Sequence, residues 1–149
     1  MEGKIVNINE FKAVGLTYFG NNSNGEIPKL WDIFNNRYND INQKSKSMLC
    51  FGICDDEMDA EGKFHYTAAA EVDGFEHIPE GMDTKVVPAG KYLVYTYKGT
   101  IKDLGQFYAD IFSKWIPASG YELDSRPQLE LYDERFMNNG EFDIYVAVK

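Results

Sequence analysis

Two apolar stripes at helical spacing, each set among β-rich segments, constrain this chain more than any other feature. The first runs through Ile27, Leu30, Trp31, Phe34, Tyr38 and Ile41. The second runs through Ile101, Leu104, Phe107, Tyr108, Ile111, Phe112 and Trp115. Steps of three, four and seven residues put each set on one side of a helix. Both stripes are introduced alike: Leu16-Thr-Tyr18 stands before Gly20 as Tyr95-Thr-Tyr97 stands before Gly99, and Ile27-x-x-Leu30 matches Ile101-x-x-Leu104. Pro28 suits the first turn of the first helix. Thr100 followed by Asp103 is a capping-box-like start for the second, and Pro117 follows its last turn.

The segments around the stripes read as strands. Residues 11–19 are β-rich and end in the loop Gly20-Asn-Asn-Ser-Asn-Gly25. Residues 48–54 and 64–72 form a pair. Residues 84–87 and 91–97 read as a hairpin over Pro88-Ala-Gly90, and residues 128–134 and 141–148 as a final hairpin across Met137-Asn-Asn-Gly140. The order is β-α-β-β, twice. It predicts an α+β fold: one domain over residues 1–149, with repeat one at about 1–80 and repeat two at about 81–149. An antiparallel sheet, a pseudo-two-fold and a ligand cleft between the repeats follow.

Composition narrows the function. At 149 residues the chain is one ordinary domain. Its net charge of -9 argues against nucleic acid as the main partner and favours cationic or neutral ones. No apolar stretch approaches eighteen residues, and the start lacks the apolar core of a signal peptide, so a cytoplasmic protein with no membrane partner is expected. Cys50 and Cys54 are spaced for neither a zinc ribbon nor a thioredoxin motif. On a strand they stand about 13 Å apart, too far for a bridge. Asp55, Glu57, Asp59 and Glu61 alternate like calcium ligands, but the glycine falls at position 62 and strands flank the loop, so a solvated hairpin tip is expected. His65 and His77 have no ligand partners at metal spacing, and no GxSxG, Walker loop or dinucleotide fingerprint occurs. No metal and no cofactor are expected.

The last hairpin concentrates the chemistry. Alternation sends Leu129 and Leu131 one way and Glu130, Tyr132 and Glu134 the other. In the final strand Phe142, Ile144, Val146 and Val148 oppose Asp143, Tyr145 and Ala147. A turn near Asn138-Asn139 would set Tyr132 opposite Tyr145 and Asp143 opposite Glu134. A helix-free face of carboxylates and tyrosines beside Glu130 is then expected. An antiparallel sheet with one wet side accounts for that pattern. So does a cleft with aromatic walls and an acid at its floor, where charge and ring quadrupole both select a cation. A desolvated acid there would have a raised pKa and suit general-acid work.

Several segments, in order, carry a resemblance: Phe51-Gly-Ile-Cys54, Ile78-Pro-Glu-Gly-Met82, Pro88-Ala-Gly-Lys-Tyr92, Trp115-Ile-Pro-x-Ser-Gly-Tyr121 and Arg126-Pro-x-Leu-Glu-Leu-Tyr-Asp-Glu134. The chain resembles the GyrI-like small-molecule-binding family, also called the AraC-type effector-binding domain, over essentially its whole length. The resemblance implies a tandem β-α-β-β fold and a cleft for a small lipophilic or cationic ligand. It implies that Glu130 is the acid that meets the ligand, with Tyr132, Asp143 and Tyr145 beside it and Trp115, Tyr108 and Trp31 as wall residues. It offers three functions. The first is a stand-alone binding protein that senses or sequesters drugs. The second is a hydrolase that opens cyclopropane rings of DNA-alkylating toxins, with Glu130 and Tyr145 as its catalytic pair. The third is a gyrase-inhibitor-like role with a protein partner. Regulators of the family carry a helix-turn-helix before this domain. This chain has no basic helix pair, so no direct DNA binding is expected.

Overall fold

The computed structural model describes residues 2–55 and 58–149. It holds eight strands: β1 Lys4–Ile8, β2 Phe11–Gly20, β3 Cys50–Cys54, β4 Phe64–Val72, β5 Asp83–Val87, β6 Gly90–Lys98, β7 Gln128–Tyr132 and β8 Glu141–Ala147. All belong to one sheet in the order β1-β6-β8-β7-β3-β4-β2-β5, and every pairing is antiparallel. Read from either end, that order is the same plan: β1, β6, β8, β7 on one side and β5, β2, β4, β3 on the other. The two halves meet at the β7·β3 pair.

Two connections force the sheet to curl. β1 and β2 are joined by Asn9 and Glu10 alone, and β5 and β6 by Pro88 and Ala89 alone. Yet six strand spacings separate the members of each pair in the sheet. In a flat sheet that is about 29 Å, whereas a two-residue link reaches about 10 Å. The sheet therefore rolls into a half-barrel.

The same links correct the hairpin expected over Pro88-Ala-Gly90. β5 pairs with β2, and β6 pairs with β1 and β8. The halves thus exchange edge strands, and β1, absent from the sequence reading, completes the second half.

The helices lie on the outer face. α1 (Glu26–Arg37) starts after Gly25, whose φ of 72° suits glycine, and runs into a 3-10 turn at Tyr38–Asp40. Its whole expected stripe packs on Val14, Tyr66, Ala68 and Ala70. α2 (Ile101–Asp110) passes into a π turn at Ile111–Trp115 and then α3 (Ile116–Ser119). Leu104, Phe107, Tyr108, Ile111 and Trp115 pack on Tyr95, Phe142, Ile144 and Val146. Phe112, expected in that stripe, is 41% exposed. The π turn takes more residues per turn than 3.6, so it rotates Phe112 off the apolar side. Of Ile101 only the backbone is described. Thr100 Oγ1 donates to Asp103 Oδ2 at 3.2 Å, so the expected box forms between side chains and not onto the helix N–H groups.

The inner face has its own core of Ala13, Phe51, Ile53, Ala69, Val87, Tyr92, Leu129 and Ala147. Arg126 clamps its rim: Nη2 donates to the carbonyls of Lys91 and Val148 at 2.6 and 2.9 Å, and the guanidinium lies over Tyr92. Of the calcium-like run, Glu57 lies outside the described residues; Asp59 accepts from the backbone of Glu61 and Lys63 within its own turn.

Candidate functional site

Register decides the site. β7 pairs with β8 as Leu129↔Tyr145, Glu130↔Ile144 and Leu131↔Asp143. Directly opposed residues share a face. Glu130 and Tyr132 therefore lie with Ile144 and Phe142 on the outer, helix-covered face. Asp143 and Tyr145 lie with Leu129 and Leu131 on the inner one. This corrects the expected pairing of Tyr132 with Tyr145 and of Asp143 with Glu134. The cause is α4 (Glu134–Asn139), a six-residue helix where a tight turn was expected. It is capped by the Asp133 side chain, which accepts from the Arg135 N–H, and it ends at Gly140 with φ 71°. The helix consumes Glu134 and shifts the register.

Glu130 is 8% exposed and sits at the junction of the halves, opposite Gly52. Three tyrosine hydroxyls hold it. Tyr66 donates to Oε1 at 2.5 Å, Tyr132 donates to Oε1 at 3.1 Å, and Tyr108 donates to Oε2. Trp31 Nε1 donates to the Tyr66 hydroxyl at 2.9 Å, and the Trp31 ring meets Tyr132 edge-on at 5.1 Å. Each part of the fold supplies something: α1 the indole, β4 one phenol, α2 another, and β7 the acid and the third phenol. Tyr132 also stacks on Phe142 at 4.7 Å. Burial pushes the Tyr66, Tyr108 and Tyr132 hydroxyls well above the usual phenol range, and the Glu130 charge pushes them further. They stay protonated donors. Among the described residues no basic side chain forms an ion pair with Glu130.

Gly52 makes this approach possible. A Cβ there would stand 2.2 Å from Tyr66 Oη and 2.5 Å from Glu130 Oε1. Neither Gly52 nor Tyr66 was singled out from sequence. A signal existed: Tyr66 is followed on its own face by Ala68 and Ala70, and small neighbours leave room for a ring and its hydroxyl.

The expected site residues thus divide. Trp31, Tyr108 and Tyr132 converge on Glu130. Trp115 does not; it packs against Tyr95 and Phe107 at 5.5 and 5.0 Å. Asp143 accepts from Thr96 Oγ1 at 2.6 Å and pairs with Arg135 Nη2 at 2.8 Å, a structural bridge on the inner face. Tyr145 packs near Tyr92, with ring centroids 5.7 Å apart. The Glu130–Tyr145 pair that the hydrolytic expectation needs is not assembled, because a sheet layer separates the two side chains.

Comparison with known proteins shows the family. Residues 4–148 match the model of the integron-associated effector-binding proteins, Cass2. The chain belongs to the Cass2 family. This is a GyrI-like, small-molecule-binding family, as the resemblance implied. This chain is 34% identical over 152 residues to the transcriptional regulator BrlR of Pseudomonas aeruginosa, covering 99% of this chain and 56% of that protein. It thus spans about half of that relative's length. It is similar to an integron cassette protein of Vibrio cholerae at 17% identity and TM-score 0.74, covering 99% of this chain and 96% of that one. It is also similar to a protein solved with tetraphenylphosphonium bound, at 19% identity and TM-score 0.73, covering 100% and 94%. Those two likenesses concern the fold. Among the described residues no helix is long and apolar enough to cross a membrane.

Proposed function

We propose that this Cass2-family chain binds a lipophilic cation at Glu130, between α1 and α2. One observation carries the reading: a buried carboxylate held by three neutral phenols and, among the described residues, by no basic partner. An ion taken out of water is costly unless paired. Phenol O–H groups satisfy its lone pairs but leave its charge uncompensated. A cation among the Trp31, Tyr66, Tyr108 and Tyr132 rings would supply that charge and meet their negative faces. The Trp31 and Tyr132 rings touch in this structure, so entry requires them to part.

The test is calorimetric titration with tetraphenylphosphonium and with tetraphenylborate, its anion of like shape. The cation should bind and the anion should not. Glu130→Gln should weaken cation binding about 10- to 100-fold, the worth of one buried charged contact. Equal binding of both ions, or full affinity in Glu130→Gln, would end this reading.

A further inference from the structure

The inner face of the curled sheet carries a cavity that Glu130 does not line. It measures about 300 Å³, the lower end of the range for small-molecule sites. Phe51, Leu129 and Leu131 form its floor, and Phe11 stacks on Phe51 with ring centroids 4.5 Å apart. Among the described residues its charged lining is Glu10 and Glu71, with no lysine or arginine. Glu10 comes from the two-residue link that closes the half-barrel, and Glu71 from β4. An apolar floor beneath two carboxylates is complementary to a molecule with a flat apolar body and one positive charge. The volume limits that body to one or two rings. Alternation keeps this cavity apart from the Glu130 cluster: Leu129 and Leu131 point inward where Glu130 points outward.

We propose that this cavity is a second, separate binding site for a small aromatic ammonium compound, with its ring on Phe51 and Leu131 and its charge at Glu10 and Glu71. The proposal does not depend on the Glu130 reading.

The experiment is an NMR titration of methyl-labelled protein with 1-naphthylmethylammonium, in wild type and in Glu130→Gln. Expected are saturable binding with a Kd of about 1 mM or tighter and intermolecular Overhauser effects from the naphthalene to Leu49 and Leu131 methyls. Both should persist in Glu130→Gln. The double variant Glu10→Gln/Glu71→Gln lies at the rim and should keep its fold while losing at least fivefold in affinity. Leu49→Trp, which fills the cavity, should abolish binding. Contacts confined to the outer-face methyls of Ile144 and Val146 overturn the proposal. So does loss of binding in Glu130→Gln, or an unchanged affinity in the double variant. If naphthyl binding follows the expected pattern while tetraphenylphosphonium ignores Glu130, the first reading fails and this one stands.

Discussion

The two halves of the sheet share one plan and differ at the place where they meet. On the β3 side the junction residue is Gly52, which has no side chain; on the β7 side it is Glu130, a buried acid. The helices differ too. α1 is regular and lends an indole, while α2 gives way to a π turn and lends a phenol. A symmetric frame brings both helices to one central point. An acid on both strands there would set two carboxylates against each other in a dry site, and at least one would be protonated. Glycine on one strand leaves room for a single charge and for the phenols that hold it.

Breaking the glycine side should have the largest effect. Gly52→Val drives a branched side chain into Tyr66 and Glu130, and overpacking of that kind costs about 3 kcal/mol. Urea unfolding should show it, and tetraphenylphosphonium binding should vanish. A variant of wild-type stability would mean that the close approach at Gly52 does not matter.

Removing one phenol should do less. Tyr66→Phe strips Glu130 of a donor and Trp31 of its acceptor, at a cost of about 2 kcal/mol. Trp31 emission should shift at the same time, because its N–H loses its partner. Loss of stability with unchanged emission would separate the indole from the network.

Asp143→Asn tests the assignment of faces. It weakens a bridge to Arg135 and should cost about 1 kcal/mol or less, with no change in tetraphenylphosphonium affinity. An affinity loss approaching that of Glu130→Gln would put Asp143 in the site after all.

A pH dependence tests the phenols together, in alkaline solution only. Tyr66, Tyr108 and Tyr132 have hydroxyl pKa values raised above the unfolded value of about 10. Above pH 10 the unfolded chain releases these protons and the folded one keeps them. Their contribution is therefore complete below that pH and declines as pH rises beyond it. Melting temperatures between pH 9 and 11 should fall more steeply in wild type than in a Tyr66→Phe/Tyr108→Phe variant. Parallel curves would show that the phenols are not held in their neutral form by folding.

Much of the fold was legible. Both helical stripes, seven of the eight strands and the repeat came from periodicity, because a helix or a strand buries one side and so writes its period into the chain. Glu130, Tyr132, Tyr108 and Trp31 were legible as residues, though Tyr66 and Gly52 were not. Their roles depend on a contact across strands β3, β4 and β7, which local pattern does not encode.

Alternation by itself determined that Glu130 and Tyr132 share one side of β7 and that Asp143 and Tyr145 share one side of β8. Only the tertiary structure decided that these sides are different faces of the sheet. The reason is parity. Period two sorts each strand into two sets, but the connection between strands chooses which sets are matched. A short helix at Glu134–Asn139, where a tight turn was expected, put the acid under the helices and the second carboxylate inside the half-barrel. Two-residue links likewise carried β1 and β5 across to the opposite halves, since the chain is too short there to do anything but curl the sheet.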